Sequence, residues 1–199
     1  MSNINYPKGV APISPLTAKK KKAKKQSKLG FGNRGMGFED AINITNDYYR
    51  DHDLALITKR PTPINVVKVD YTKGAMITHA YFEAQSTTDY NGVYHGHYID
   101  FEAKSTRSKT SFPLSNIHPQ QIEHLERVIA QGGWAFFLIE FALLDEVYLL
   151  PASYVCAYYH ERPRASITLE DIRKNGRQVN EGFNPRFDYL PVAIELFEK

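Results

Sequence analysis

Two residues on one strand and one residue before it offer phosphodiester chemistry. Within Tyr98-Ile99-Asp100-Phe101-Glu102-Ala103-Lys104, Glu102 and Lys104 stand two apart, so on a strand they project from the same face. Asp89, in the run Ser86 to Gly92, precedes that strand across a short turn, close enough to fold back over the same face. Hydrolysing a phosphodiester at neutral pH needs hard oxygen ligands for Mg²⁺, which takes few protein carboxylates and keeps several waters. It also needs a water made nucleophilic by the metal, and a cation beside the developing charge. Asp89 and Glu102 supply the anions and Lys104 the cation. Asp100 shares the face of Glu102 and competes with Asp89 for the ligand role. Taken alone, Asp followed by Glu-x-Lys also describes the solvated side of an ordinary strand. Two features point the other way. Ile99, Phe101 and Ala103 make the opposite face apolar, as on a central strand, and the next element is a helix opening with Gln120-Gln121. A crossover from the strand brings Gln121 over the sheet, within reach of a metal or a metal-held water.

The elements that must position these residues are legible in outline. Apolar positions at Phe38, Ala41, Ile42, Thr45 and Tyr49 predict a helix over 37–51. A strand follows at Leu54–Thr58 and ends at Pro61 and Pro63. Ile64–Val69 and Ala75–Phe82 form a hairpin around Lys73-Gly74, and Asp89–His95, with Asn91-Gly92, is expected to be a turn. The best-marked helix covers 119–131, between Pro119 and Gly132. Trp134–Phe141 and Glu146–Leu150 read as buried strands, Pro151 opens a helix, Thr168 and Asp171 resemble a capping box, and Val192–Phe197 fits a strand or a helix, the helix being preferred. The whole is a mixed α/β domain around one sheet.

Charge is unevenly distributed. Residues 1–34 hold eight Lys, one Arg and no acid, whereas all 22 acids follow them. Lys19 to Lys28 contains seven Lys and almost nothing apolar, so it reads as a disordered basic arm, over 1–32, that contacts a polyanion or keeps the chain soluble. The single cysteine, Cys156, excludes an internal disulfide framework and fits a reducing cytoplasm. No run is apolar enough for a membrane span or a secretory leader. His95-Gly96-His97 suggests no third metal ligand. Arg34, Lys59, Arg60, Lys68, Lys73, Arg107 and Lys109 are candidate phosphate contacts, and Tyr71, Tyr81, Phe82 and Tyr90 could stack on unpaired bases.

Asn33-Arg34-Gly35, Pro61-Thr62-Pro63, Ala80-Tyr81-Phe82, Ser86 to Gly92, Tyr98 to Lys104, Lys109 to Leu114 and Gln121-Ile122-Glu123-His124 run in one order, with an echo at Asn184 to Tyr189. In this the chain resembles the RecU Holliday junction resolvases. The resemblance implies a restriction-endonuclease-like mixed central sheet flanked by helices, in a nuclease domain over 33–199. It implies a homodimer that places paired symmetric nicks in branched DNA during recombination and repair, with Mg²⁺ as cofactor and Mn²⁺ as a substitute. It also maps a metal site to Thr87, Asp89, Glu102 and Gln121, with Lys104 stabilising the transition state, and so prefers Asp89 to Asp100. Recombinase RecA and the RuvAB branch-migration machinery are the partners it implies. The family's stalk maps to about Pro61–Phe82, with a tip, Tyr71 to Met76, that is shorter and less basic than the family pattern implies.

Two other functions fit the residues: a DNA-bridging protein without chemistry, and a related nuclease that cuts linear duplex. For any of the three, deleting residues 1–28 is expected to weaken binding to every DNA shape. The plot of log affinity against log salt should become shallower by about 0.9 for each phosphate that the arm neutralised. Gel-shift titrations in salt measure it, and an unchanged slope means that the arm does not touch DNA.

Overall fold

The computed structural model describes residues 37–72, 74–82 and 87–198. The basic arm, Arg34 and Lys73 lie outside them. The chain opens with α1 (Phe38–Asp51), whose first turn carries Glu39 and Asp40 against the helix dipole and whose stripe Phe38, Ala41, Ile42, Thr45 and Tyr49 is buried. Next come β1 (Leu56–Lys59), the hairpin strands β2 (Ile64–Asp70) and β3 (Met76–Phe82), then β4 (Tyr90–Tyr94), β5 (His97–Thr106) and β6 (Ser111–Pro113). The second half runs α2 (Pro119–Ala130), β7 (Trp134–Phe141), β8 (Glu146–Pro151), α3 (Ala152–Glu161), β9 (Ser166–Thr168), α4 (Leu169–Asn175), β10 (Arg177–Val179) and α5 (Leu190–Phe197). The expected mixed α/β order is present. The three-residue strands β6, β9 and β10 are too short to show a periodicity.

One six-stranded sheet, ordered β1-β4-β5-β7-β8-β10, organises the molecule. Its strands are antiparallel except for β5 and β7, which run parallel with α2 as their crossover. Helices cover both faces. On one side Ile99, Phe101, Phe136, Leu138 and Leu149 pack with residues of α1 and α5. On the other, Ala135, Phe137, Ile139 and Leu150 pack with α2, α3 and α4. Asp100, Glu102 and Lys104 alternate with the first set, so they face the layer that contains α2. The C-terminal segment is stitched to the first helix. Tyr49 donates to Asp188 at 2.8 Å, the Leu190 amide donates to Tyr49 at 3.0 Å, and Tyr189 donates to Asn46.

Asn91-Gly92 is not a turn. The segment expected as one is β4, paired with β1 on one side and β5 on the other. The turn falls instead at His95 and Gly96, whose φ values of 44° and 87° give the left-handed geometry of a two-residue hairpin loop. Gly92 answers a different need, close backbone approach. A Cβ there would lie 2.1 Å from the Leu56 carbonyl oxygen and 2.6 Å from the Ile57 Cα. Tyr90, considered as a base-stacking residue, is fully buried and stacked on Phe101 with ring centroids 4.8 Å apart.

β2 and β3 form a separate two-stranded ribbon, paired from Ile64↔Phe82 to Asp70↔Met76 with an irregularity at Lys68. At its tip, the Asp70 carboxylate accepts bonds from the Thr72 amide and hydroxyl at 2.9 and 2.8 Å. Val67, Tyr71, Tyr81 and Phe82 are 60% or more exposed, so the ribbon is not part of the core.

Gly92→Ala is expected to destabilise the fold by about 3 kcal/mol, because β1 must move to admit the methyl group. Gly96→Ala costs less, since nothing lies within 4 Å of its Cβ position and only the backbone is strained. Denaturant melts of the two variants report the difference.

Candidate active site

The site is built on β5 where α2 begins. Glu102 is almost completely buried, at 1% exposure, and three groups converge on it. Its Oε1 accepts from Gln121 Nε2 at 2.6 Å and pairs with Lys104 Nζ at 2.7 Å. Its Oε2 accepts from the Asp89 amide at 3.1 Å. Asp89 is held in turn by the strand, its Oδ2 accepting from the Ala103 amide at 3.1 Å. Gln121 is the third residue of α2, and its Oε1 accepts from the His118 amide at 3.0 Å in a capping box. The same side chain thus starts the helix and reaches the strand. Its carbonyl oxygen is engaged by that cap, so as placed it presents its N–H, not a ligand oxygen, to Glu102.

Burial and the neighbouring Asp89 carboxylate push Glu102 up to about 7, against the lowering effect of Lys104. Two carboxylates side by side in a desolvated corner are a donor set that a divalent cation would relieve. Among the described residues no three His, Cys, Asp or Glu side chains converge as a ligand cluster. Two carboxylates with a hydroxyl and an amide nearby nevertheless suit Mg²⁺, which is held by one or two protein carboxylates and otherwise by water.

Asp100 is the second fully buried carboxylate, and it serves a different network. Its Oδ1 accepts from Thr88 Oγ1. Its Oδ2 accepts from Tyr98 OH at 2.8 Å and His124 Nε2 at 2.9 Å, and pairs with Arg60. Arg60 also donates to Thr87 Oγ1 at 2.6 Å and to Tyr98 OH at 2.9 Å. Expected from the sequence as a phosphate contact, Arg60 turns its guanidinium inward instead. Lys59 is ion-paired with Glu39 on α1. Lys68, Arg107 and Lys109 are exposed. Sequence reasoning missed Tyr98, Thr88 and His124. The available signal was spacing: Tyr98 stands two before Asp100 on the strand, and His124 one helical turn after Gln121.

The family model described as Recombination protein U matches residues 33–195. The chain is similar to the Holliday junction resolvase RecU of Lactococcus lactis subsp. cremoris, 49% identical over 210 aligned residues, covering 98% of this chain and 99% of that protein. It is likewise similar to the protein of that name from Geobacillus kaustophilus, 45% identical with 98% of each covered. The one from Streptococcus agalactiae is 49% identical, with 96% of each covered. Among solved structures, the Holliday junction resolvase Hjc of Archaeoglobus fulgidus aligns with a TM-score of 0.39 and 11% identity over 68% of this chain and 93% of that one.

A raised Glu102 has a pH signature. Its folded value of about 7 lies above the ordinary 4.5, so its contribution to stability is fully present below about 4.5 and lost as pH rises through about 7. Metal-free protein is therefore expected to lose about 3 kcal/mol between those limits through this group. Glu102→Gln should lack that part of the decline. Denaturant melts of both proteins from pH 5 to 8 measure it, and parallel curves mean that Glu102 is not the group responsible.

Proposed function

We propose that this chain, which belongs to the Recombination protein U family, is a Mg²⁺-dependent endonuclease that resolves Holliday junctions by paired symmetric nicks. The observation that carries the reading is the convergence of Asp89, Lys104 and Gln121 on one buried carboxylate, Glu102. The relatives' shared name, Holliday junction resolvase, supports the substrate.

Asp89 and Glu102 would hold the cation, with Thr87 reaching it directly or through its waters and Gln121 through a water, its own carbonyl oxygen being engaged by the helix cap. When bound, Mg²⁺, or Mn²⁺ in its place, supplies Lewis acidity and lowers the pKa of a water. Lys104, anchored on Glu102, faces the charge that develops on the phosphate. Gln121 orients Glu102 through the start of α2, so the acid need not search for its position. Lys68, Arg107 and Lys109 are exposed bases free to meet phosphates, and the basic arm adds sequence-independent attraction.

The described residues offer one such site, whereas resolution into two ligatable duplexes needs two nicks in strands of like polarity. A twofold homodimer supplies the second site with the required symmetry. The β2–β3 ribbon then serves as the stalk that meets the junction's centre. RecA and the RuvAB machinery are the partners of such a step, in the cytoplasm. Among the described residues no helix is long and apolar enough to cross a membrane.

Asp89→Asn, Glu102→Gln and Lys104→Ala are each expected to slow Mg²⁺-dependent nicking of a four-way junction by about a hundredfold or more. Gel-shift affinity for the junction should change only a few-fold. Both are measured side by side, with linear duplex of the same sequence as the comparison substrate. Wild-type turnover in two of the three variants overturns the assignment, and equal cutting of duplex replaces junction resolution with a general nuclease.

A further inference from the structure

The ribbon and the active site share a foundation. β2 and β3 are inserted between β1 and β4, and the two roots of the insertion meet where the Arg60 amide donates to the Asp89 carbonyl at 2.7 Å. Arg60 is the last residue before the ribbon departs; Thr87 and Thr88 are the residues leading from it into Asp89. Asp100 ties both roots down. One carboxylate oxygen accepts from Thr88 on the returning root and the other pairs with Arg60 on the departing one. Arg60 closes the ring by donating to Thr87 at 2.6 Å. Tyr98 and His124 occupy the remaining acceptor directions of the same oxygen, so the carboxylate, fully buried, is held from β5 and α2 as well.

We infer that Arg60, Thr88 and Asp100 form a clamp that couples the orientation of the ribbon to the placement of Asp89 and Thr87, making Arg60 and Asp100 positioning residues for cleavage. The coupling is mechanical, and its catalytic meaning rests on the nuclease reading above. The described side chains of the ribbon are mostly exposed, so it can tilt, and a tilt that reaches both roots pulls on Arg60 and on Thr87-Thr88 together. Both pulls end on Asp100, which is fully buried on a central strand and held besides by Tyr98 and His124. Asp89 is the next residue, and its bonds to Ala103 and Glu102 span only about 3 Å each. The ligand loop is therefore set when the roots are seated on Asp100 and loosened when they are not. DNA gripping the ribbon is read out one residue away, at Asp89.

A clamp predicts non-additivity, which a merely structural role does not. The variants are Arg60→Lys, Asp100→Asn and a ribbon shortened by replacing 69–77 with a two-residue turn, alone and combined, in the full chain. Single-turnover cleavage at saturating four-way junction and Mg²⁺ is read beside junction affinity. Shortening the ribbon should slow cleavage at saturation about tenfold in the wild-type background, and less than twofold further in the Arg60→Lys or Asp100→Asn background. Its effect on affinity should be the same in all backgrounds. In metal-free buffer, junction binding should slow amide hydrogen exchange across 87–89 in the wild type and not in Arg60→Lys, a reading independent of activity. Additive losses in cleavage, or unchanged exchange in the wild type, overturn the clamp. A wild-type chain that cuts nothing with Mg²⁺ overturns the nuclease reading on which it rests.

Discussion

The site depends on one arrangement: β5 carries acids on the face where its parallel neighbour carries Ala135, Phe137 and Ile139. A buried carboxylate without partners costs several kcal/mol, so each acid must be answered by donors. Glu102 is answered by Gln121, Lys104 and the Asp89 amide; Asp100 by Thr88, Tyr98, His124 and Arg60. Those donors come from α2, β5 itself and both roots of the ribbon. Satisfying two acids thus fixes how the crossover helix starts, where the insertion leaves the sheet and where it returns.

The two acids divide the labour. Glu102 has two cationic or amide donors on one oxygen and a second acid close by, and burial together with that acid raises its proton affinity in spite of Lys104. Asp100 is shielded from solvent and accepts from donors on both of its oxygens, which suits holding parts together. Sequence alternation put both on one face and could not separate them. The family resemblance favoured Asp89 as the partner of Glu102, and the hydrogen bonds supply a physical reason for that preference.

Much of the fold was legible because its elements are long and regular. α2 lies between Pro119 and Gly132, β7 is a continuous apolar run, and the alternation along β5 is plain. Errors arose where one residue type serves two purposes. Gly92 beside Asn91 has the composition of a hairpin turn, yet its lack of a side chain lets β1 approach. Arg60 looked like one of several surface bases, because a buried partner 40 residues away leaves no local mark. Asp89, Glu102, Lys104 and Gln121 were expected together from spacing and resemblance, and their hydrogen bonds do bring the four side chains together. Tyr98, Thr88 and His124 were not, because their roles are defined by Asp100, whose own role is visible only in three dimensions.

The bonds from Tyr49 and Asn46 to Asp188, Tyr189 and Leu190 join residues 139 to 143 positions apart. They have a consequence for the chain as it is synthesised. Translation delivers the N-terminal side first, at roughly 5–20 residues per second. The apolar stripe of α1 therefore emerges early and has no complete cover until the final segment has left the ribosome. One face of the sheet stays open for most of that interval, with hydrophobic surface for chaperones to guard, and long-range closure of this kind slows folding. The face that carries Asp89, Glu102, Lys104 and Gln121 lies within residues 87–124 and β7 and can assemble sooner. Residues 188–190 thus act as the fastener of a domain whose other face is already in place.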